Sequence, residues 1–244
     1  MSRFLRALAP AALAVTAFAA TAATAFAAAT APAAAPTTTP AAATTATGPK
    51  TFVFDRAHTE IGFNIRHFFN KVHGRFNDYG GQFTYDPSNV SASTVEVTIA
   101  DSSIYTANDR RDADLRSPNF FEVAKYPTIT FKSTKVIPGK DENHFQVVGD
   151  LDMHGVKKPV TLDVEMLGMG PVAIGGRAMG VQAGFSASST IKRQDWGITW
   201  NRTLDQGGVM LGEDVEIAIS VAARTQDQPP PQAAAPATPP ADKK

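Results

Sequence analysis

The chain has no cysteine. That excludes disulfides, thiolate metal centres and a thiol for lipid attachment. An excess of either charge is also missing: 23 Lys and Arg stand against 23 Asp and Glu, and no basic cluster builds up around the Lys157-Lys158 pair. Nucleic acids and anionic membrane surfaces call for gathered positive charge, so neither is an expected partner. There is no HExxH, no GxSxG and no phosphate-cradling loop opening a helix, the patterns that carry zinc hydrolysis, serine acyl transfer and nucleotide binding. A spanning helix needs roughly 20 uninterrupted apolar residues, and the apolar start of the chain is broken by Thr16, Thr21 and Thr24.

What the start does contain is a basic opening at Arg3 and Arg6, an apolar run from Ala7 to about Ala20, and Ala25-Phe26-Ala27, an A-x-A cleavage pattern. Residues 1–27 therefore read as a secretory signal peptide. The mature protein is expected to be periplasmic or secreted, with no integral membrane span after cleavage. Residues 28–49 are nearly all Ala, Thr and Pro, and 225–244 are rich in Pro and Ala. Neither segment can bury enough apolar surface to fold, so both read as a disordered linker and tail. One folded domain is left, residues 50–224.

Within it the dominant signal is a period of two. Ile61, Phe63 and Ile65 alternate with small and polar residues, as do Val95, Val97 and Ile99. So do Phe145, Val147, Leu151 and Met153 around Gly149, then Val160, Leu162, Val164 and Met166, and last Val215, Ile217, Ile219 and Val221. Such alternation describes antiparallel sheet with one face buried and one wet. Turn signals fall between the runs at Gly80-Gly81, Pro87-Ser88-Asn89, Pro138-Gly139, Gly155, Gly168 to Pro171 and Gly175-Gly176. Short strands with tight connections predict an all-β barrel or sandwich. A barrel of about eight strands is either filled by side chains or hollow enough for one small ligand, and the 15 Phe suit both.

From Arg110 to Ser133 the alternation stops. Thr106 to Arg116 predicts a short helix in which Asp112 pairs with Arg116 one turn on, and Pro118 ends it at or before Ser117. Phe120 and Phe121 then form an aromatic plug over one end of the sheet or barrel, and Pro127 marks the start of the next strand.

These spaced residues resemble the YceI-like family of exported proteins. The resemblance runs from Phe52 to Ala223. It is carried by Asp55, His58 and Thr59; Phe63 through Arg66-His67; Gly74 to Phe76; Gly81 and Tyr85-Asp86; Arg111-Asp112, Leu115, Ser117, Phe120-Phe121, Tyr126-Pro127 and Phe131 to Ser133; Gly149 to Gly155 with Lys158-Pro159-Val160; and Arg193, Asp195, Trp196 and Gly197. It implies an antiparallel eight-stranded lipocalin-like barrel with one short helix near its opening. It also implies non-enzymatic binding of a long amphiphile, an isoprenoid or isoprenoid quinone, as ligand and not as cofactor. Two departures stand beside the implied opening: Asp114, where the family often has His, and Glu122, where it often has Asp. A homodimer of barrels is a further partner left open, as are transport, storage and stress protection as roles.

On this reading the ligand-binding residues are Phe63, Ile65, Phe83, Val97, Ile99, Phe131, Val147, Leu162, Val164 and Phe185, with Leu115 and Phe120 near the helix. The same residues would equally fill a solid core. His67 shares their parity and is placed near a ligand head group. No metal site is expected, although His58, His67 and His73 are near in sequence. Ser189 and Lys192 match S-x-x-K, but on a strand and not at a helix start. Asp109, Asp112 and Asp114, interleaved with arginines, read as a solvated, salt-bridged helix face. Arg193, Asp195 and Trp196 read as a structural corner, with contact between Arg193 and an anionic head group as the alternative. The rival functions are an enzyme acting on such a lipid and a filled barrel serving as an interaction module.

Overall fold

The computed structural model describes residues 48–226; the expected signal peptide, most of the linker and nearly all of the tail lie outside them. The strands are β1 (Lys50–Phe54), β2 (Glu60–His67), β3 (Asn70–Phe76), β4 (Tyr79–Tyr85), β5 (Thr94–Ala100), β6 (Ile104–Tyr105), β7 (Thr128–Pro138), β8 (His144–Met153), β9 (Val156–Ile174), β10 (Arg177–Lys192) and β11 (Leu211–Thr225), with one α-helix, α1 (Asp109–Arg116), between β6 and β7. Every pairing is antiparallel.

The eleven segments make eight staves, because the first three staves are each broken in the middle. Along β11, residues 211–220 pair with β2 and residues 223–225 with β1. Segments β1 and β2 thus lie end to end, as do β3 with β4 and β5 with β6 against their own neighbours. The pairing of β1 with both β4 and β11 closes the ring. Closure leaves an inside and an outside for the period-two pattern to address, although among the described residues β3 is paired on the side away from β2 only at Arg75 and Phe76, by β6.

The breaks are fastened by polar groups. Asp55 accepts from the Ala57 backbone and meets His58 Nδ1 at 2.7 Å. Thr59 Oγ1 donates to Ala222 O and accepts from Ala222 N, and Tyr79 donates its hydroxyl to Thr59 O. The β8–β9 hairpin turns on His154 and Gly155, both left-handed (φ 53° and 75°), the geometry of a two-residue type I′ turn. Gly155 also meets the Tyr126 ring where a side chain would sit.

Three details differ from the sequence reading. Gly80-Gly81 is not a turn but lies inside β4; Gly81 has φ 139°, and a Cβ there would run into the Glu96 carbonyl of β5. Gly168 to Pro171 likewise lies inside β9, which carries on to Ile174 before turning at Gly175-Gly176. The helix begins later than Thr106: Asn108 caps it, its Oδ1 accepting from Arg111 N, and Ser117 closes it before Pro118.

The acidic helix face is also not what its spacing suggested. Asp112 does not pair with Arg116. It is buried and accepts from the backbone N–H and the hydroxyl of Thr106. Arg116 instead donates to Ser102 O and Ile104 O, while Arg111 donates to Thr106 Oγ1 and Thr106 O. The helix is strapped to residues 102–106 by side chains that satisfy backbone carbonyls, a stronger arrangement than an exposed ion pair.

Candidate functional site: the barrel interior

All of the inward-parity residues come together. Phe63, Ile65, His67, Phe83, Val97, Ile99, Leu115, Phe120, Phe131, Val147, Leu162, Val164 and Phe185 line one cavity of about 370 Å³ inside the barrel. That volume falls within the ~300–1,000 Å³ of small-molecule sites. Sequence reasoning missed other lining residues, among them Ile61, Phe76, Phe121, Tyr85, Phe145, Trp200, Met210, Ile217 and Ile219. Ile217 and Ile219 lay in an alternating run whose parity already pointed inward. Trp200 and Met210 carried no such signal, because they stand in the irregular segment between β10 and β11.

The wall is not uniformly packed. Phe131, Phe145, Val147, Val164 and Phe185 are buried, whereas Ile61, Phe63, Ile65, Val215, Ile217 and Ile219 on β2 and β11 are only half-buried although they face inward. An inward side chain that keeps accessible surface has empty space in front of it. The barrel is therefore hollow on the β2–β11 side.

Its two ends differ as well. Around β4, β8 and β10 a cluster of rings packs closely, with Phe83 edge-on to Phe185 at 5.5 Å, Tyr85 edge-on to Phe185 at 5.3 Å and Tyr85 stacked near Phe145 at 6.0 Å. At the α1 end Phe120 tilts against Trp200 at 5.2 Å and Phe121 lies edge-on to Phe76 at 5.9 Å. These two are the expected aromatic plug. It shares this end with polar groups, since His67, Thr106, Arg111, Asp114 and Arg193 belong to the same lining. Asp114 is exposed, so the cavity reaches the surface beside α1.

Arg193 is the most constrained of these groups. It opens a 3₁₀ turn, Arg193–Trp196, closed by left-handed Gly197. The side chain is 4% exposed. Nε donates to Gly212 O at 3.0 Å, and Nη1 donates to Ile198 O and Trp200 O, both at 2.8 Å. Burial pushes the guanidinium below its ordinary pKa, and Glu213 opposes that shift. Trp196 donates Nε1–H to Leu151 O at 3.2 Å, and its carbonyl meets His154 Nδ1 at 2.9 Å. The expected corner is thus present, pinning the end of β10 to β8 and β11.

His58 and His73 are exposed and meet Asp55 and Asn64, while His67 stands in the cavity wall. The three do not converge, and among the described residues no group of three or more His, Asp or Glu has metal-binding spacing. His67 has no carboxylate within hydrogen-bond reach among the described residues; its ring packs edge-on to Phe68 at 4.4 Å. Ser189 sits within β10 and donates to Thr161 O. The chemistry this interior offers is apolar burial with a few polar groups at one end.

The profile of the YceI-like domain matches residues 52–223. A UPF0312 protein of Pseudomonas paraeruginosa is 41% identical over 165 residues, covering 67% of this chain and 80% of that one. The crystal structure of the Campylobacter jejuni YCEI protein shares 32% identity with a TM-score of 0.56, covering 71% of this chain and 96% of that one. Burkholderia cenocepacia BcnA shares the fold at 20% identity, with a TM-score of 0.59 over 69% of this chain and 98% of its own. With a profile that spans the barrel from β1 to β11, the chain belongs to the YceI-like family.

Proposed function

We propose that the barrel binds a long-chain amphiphile, an isoprenoid, isoprenoid quinone or similar lipid, and carries or stores it without chemical change in the periplasm or outside the cell. The observation that supports this most is the incomplete burial of inward apolar residues on β2 and β11, around a cavity of about 370 Å³. A filled barrel would bury them. Each methylene moved from water into such a space gains roughly 0.8 kcal/mol. About ten would supply ~8 kcal/mol before ordering costs, enough for micromolar binding to a preformed site. An enzyme acting on the same lipid would need a reactive pair in the cavity, such as His67 with a carboxylate.

The test is native mass spectrometry of protein purified from its export compartment without detergent, followed by organic extraction and mass analysis. A stoichiometric isoprenoid or related lipid is expected. An empty, folded protein that also refuses added quinones and prenyl lipids would overturn the reading.

A further inference from the structure

The turn between β2 and β3 breaks the usual chemistry of such turns. His67 pairs with Asn70, which leaves Phe68-Phe69 as a two-residue loop. Loops of that length ordinarily hold Asn, Asp or Gly, because their backbone turns left-handed. Here Phe68 takes the left-handed conformation, with φ 51°, which is costly for a bulky side chain, and Phe69 stands fully in water. Little packing offsets that cost, since Phe68 is exposed as well and its ring lies edge-on to His67. A second hairpin stands beside the first: Thr203 bridges to Val209, Val209 is exposed, and Met210 O accepts the Phe68 N–H.

The position of this turn ties it to the cavity. His67 before it and Met210 beside it share the lining with Thr106 and Asp114, so the two rings stand at the end where the cavity reaches the surface beside α1. Charge is not gathered there: Arg66 and Arg202 are exposed, but Lys71 is held by Glu216 at 2.6 Å, and Asp205 lies in the second hairpin.

We propose that Phe68 and Phe69 are a membrane-docking tip, inserting into the interfacial layer of a lipid bilayer and setting the mouth of the barrel against it. The purpose of the contact, passing a lipid between bilayer and cavity without a crossing through water, rests on the lipid-binding reading above. Two phenylalanines bury roughly 150–250 Å² each, well under the ~1,000 Å² of a specific protein interface. A bilayer takes up protruding apolar side chains with no matching surface. Insertion and not charge holds the contact, so uncharged phosphatidylcholine is enough.

The experiment uses delipidated protein from its export compartment and phosphatidylcholine vesicles that carry a prenyl benzoquinone. Cosedimentation reads docking, and quinone left with the protein once the vesicles are removed reads transfer. The variant joins Phe68→Asn to Phe69→Gly, a pair favoured in two-residue hairpin loops, so the barrel keeps its fold. It should lower partition onto vesicles by roughly tenfold to a hundredfold and slow transfer, while retaining a short-chain prenyl benzoquinone added from solution as the wild type does. Equal partition of variant and wild type overturns the docking tip. So does partition that requires anionic lipid, or an equal loss from Ile174→Ser, an exposed apolar site at the far end of β9. If the wild type ignores vesicles and self-associates through these rings, the tip is a contact between copies and the proposal falls. A protein that holds quinone but does not dock leaves the lipid reading standing, whereas one that docks through Phe68 and Phe69 and takes no quinone keeps the tip and overturns that reading.

Discussion

Two walls of this barrel carry the same alternation and behave differently. On β7 and β8 the inward residues Phe131, Val136, Phe145, Val147 and Leu151 are buried, together with Phe185 of β10, while on β2 and β11 Ile61, Phe63, Ile65, Ile217 and Ile219 face inward yet keep accessible surface. Both walls line the cavity, but only the packed one is also filled against its neighbours. Apolar parity therefore says which way a side chain points, not whether anything meets it there.

The sharpest way to break this comparison is to put a charge on each wall. Val147→Arg buries an unpaired cation at a site that is 6% exposed and should cost about 3–5 kcal/mol, read as loss of the cooperative thermal transition. Val97→Arg, on half-buried β5 surface in the same lining, should leave a folded barrel that no longer retains lipid on extraction. Unaltered retention in a folded variant would refute this lining.

Truncation comes next. Phe145→Ala removes a ring that packs on Tyr85 and Phe185 and should cost about 3–5 kcal/mol in urea unfolding. Ile217→Ala enlarges a space that is already there and should cost no more than about 2 kcal/mol. Equal losses would mean that the β2–β11 side is packed in solution.

A smaller effect tests how tightly staves meet on the packed side. At Gly149 a Cβ would stand 2.5 Å from the Phe131 ring and 2.6 Å from Lys132 O. Gly149→Val should therefore cost about 1–3 kcal/mol through overpacking, seen as a lowered urea midpoint.

The last prediction concerns Asp101, in the break between β5 and β6. Its side chain is fully buried, neither oxygen has a well-formed hydrogen bond among the described residues, and burial pushes its pKa up to about 7, with the nearby Ile129 backbone N–H pulling weakly the other way. Folded protein then keeps a proton that the unfolded chain releases near 3.8. Wild-type stability should fall as pH rises from about 4 to 7, by at most ~1.4 kcal/mol per unit, and level off above. Asp101→Asn should flatten that slope in pH-dependent urea melts, and an unchanged slope would assign it to another group.

Much of the fold was legible because its code is local. Alternation at residues 61–65, 95–99, 145–153 and 215–221 placed strands where they are, and Pro118 and Pro127 bracketed the irregular stretch correctly. The failures share a cause. Gly80-Gly81 and Gly168 to Pro171 looked like turns, yet a neighbouring strand supplied pairing that no local signal announces; at Gly81 it comes so close that a side chain would not fit. Asp112 and Arg116 had the spacing of a helical ion pair, but residues 102–106 offered both of them buried backbone and hydroxyl partners. Arg193 was readable as part of a corner, while its carbonyl partners, two from residues 198–200 and one from β11, became visible only in the folded chain.

The sequence by itself determined antiparallel strands with one buried face, in a barrel or a sandwich, and the short helix with the Phe120-Phe121 pair beside it, because side-chain parity and proline geometry act between neighbours along the chain. Tertiary structure decided that three staves would be broken, that one wall would be packed and the other left open, and that the polar groups would gather at the α1 end. Those outcomes depend on how strands distant in sequence register and close into a ring. The volume left inside that ring is a property of the whole circuit, carried by no single strand.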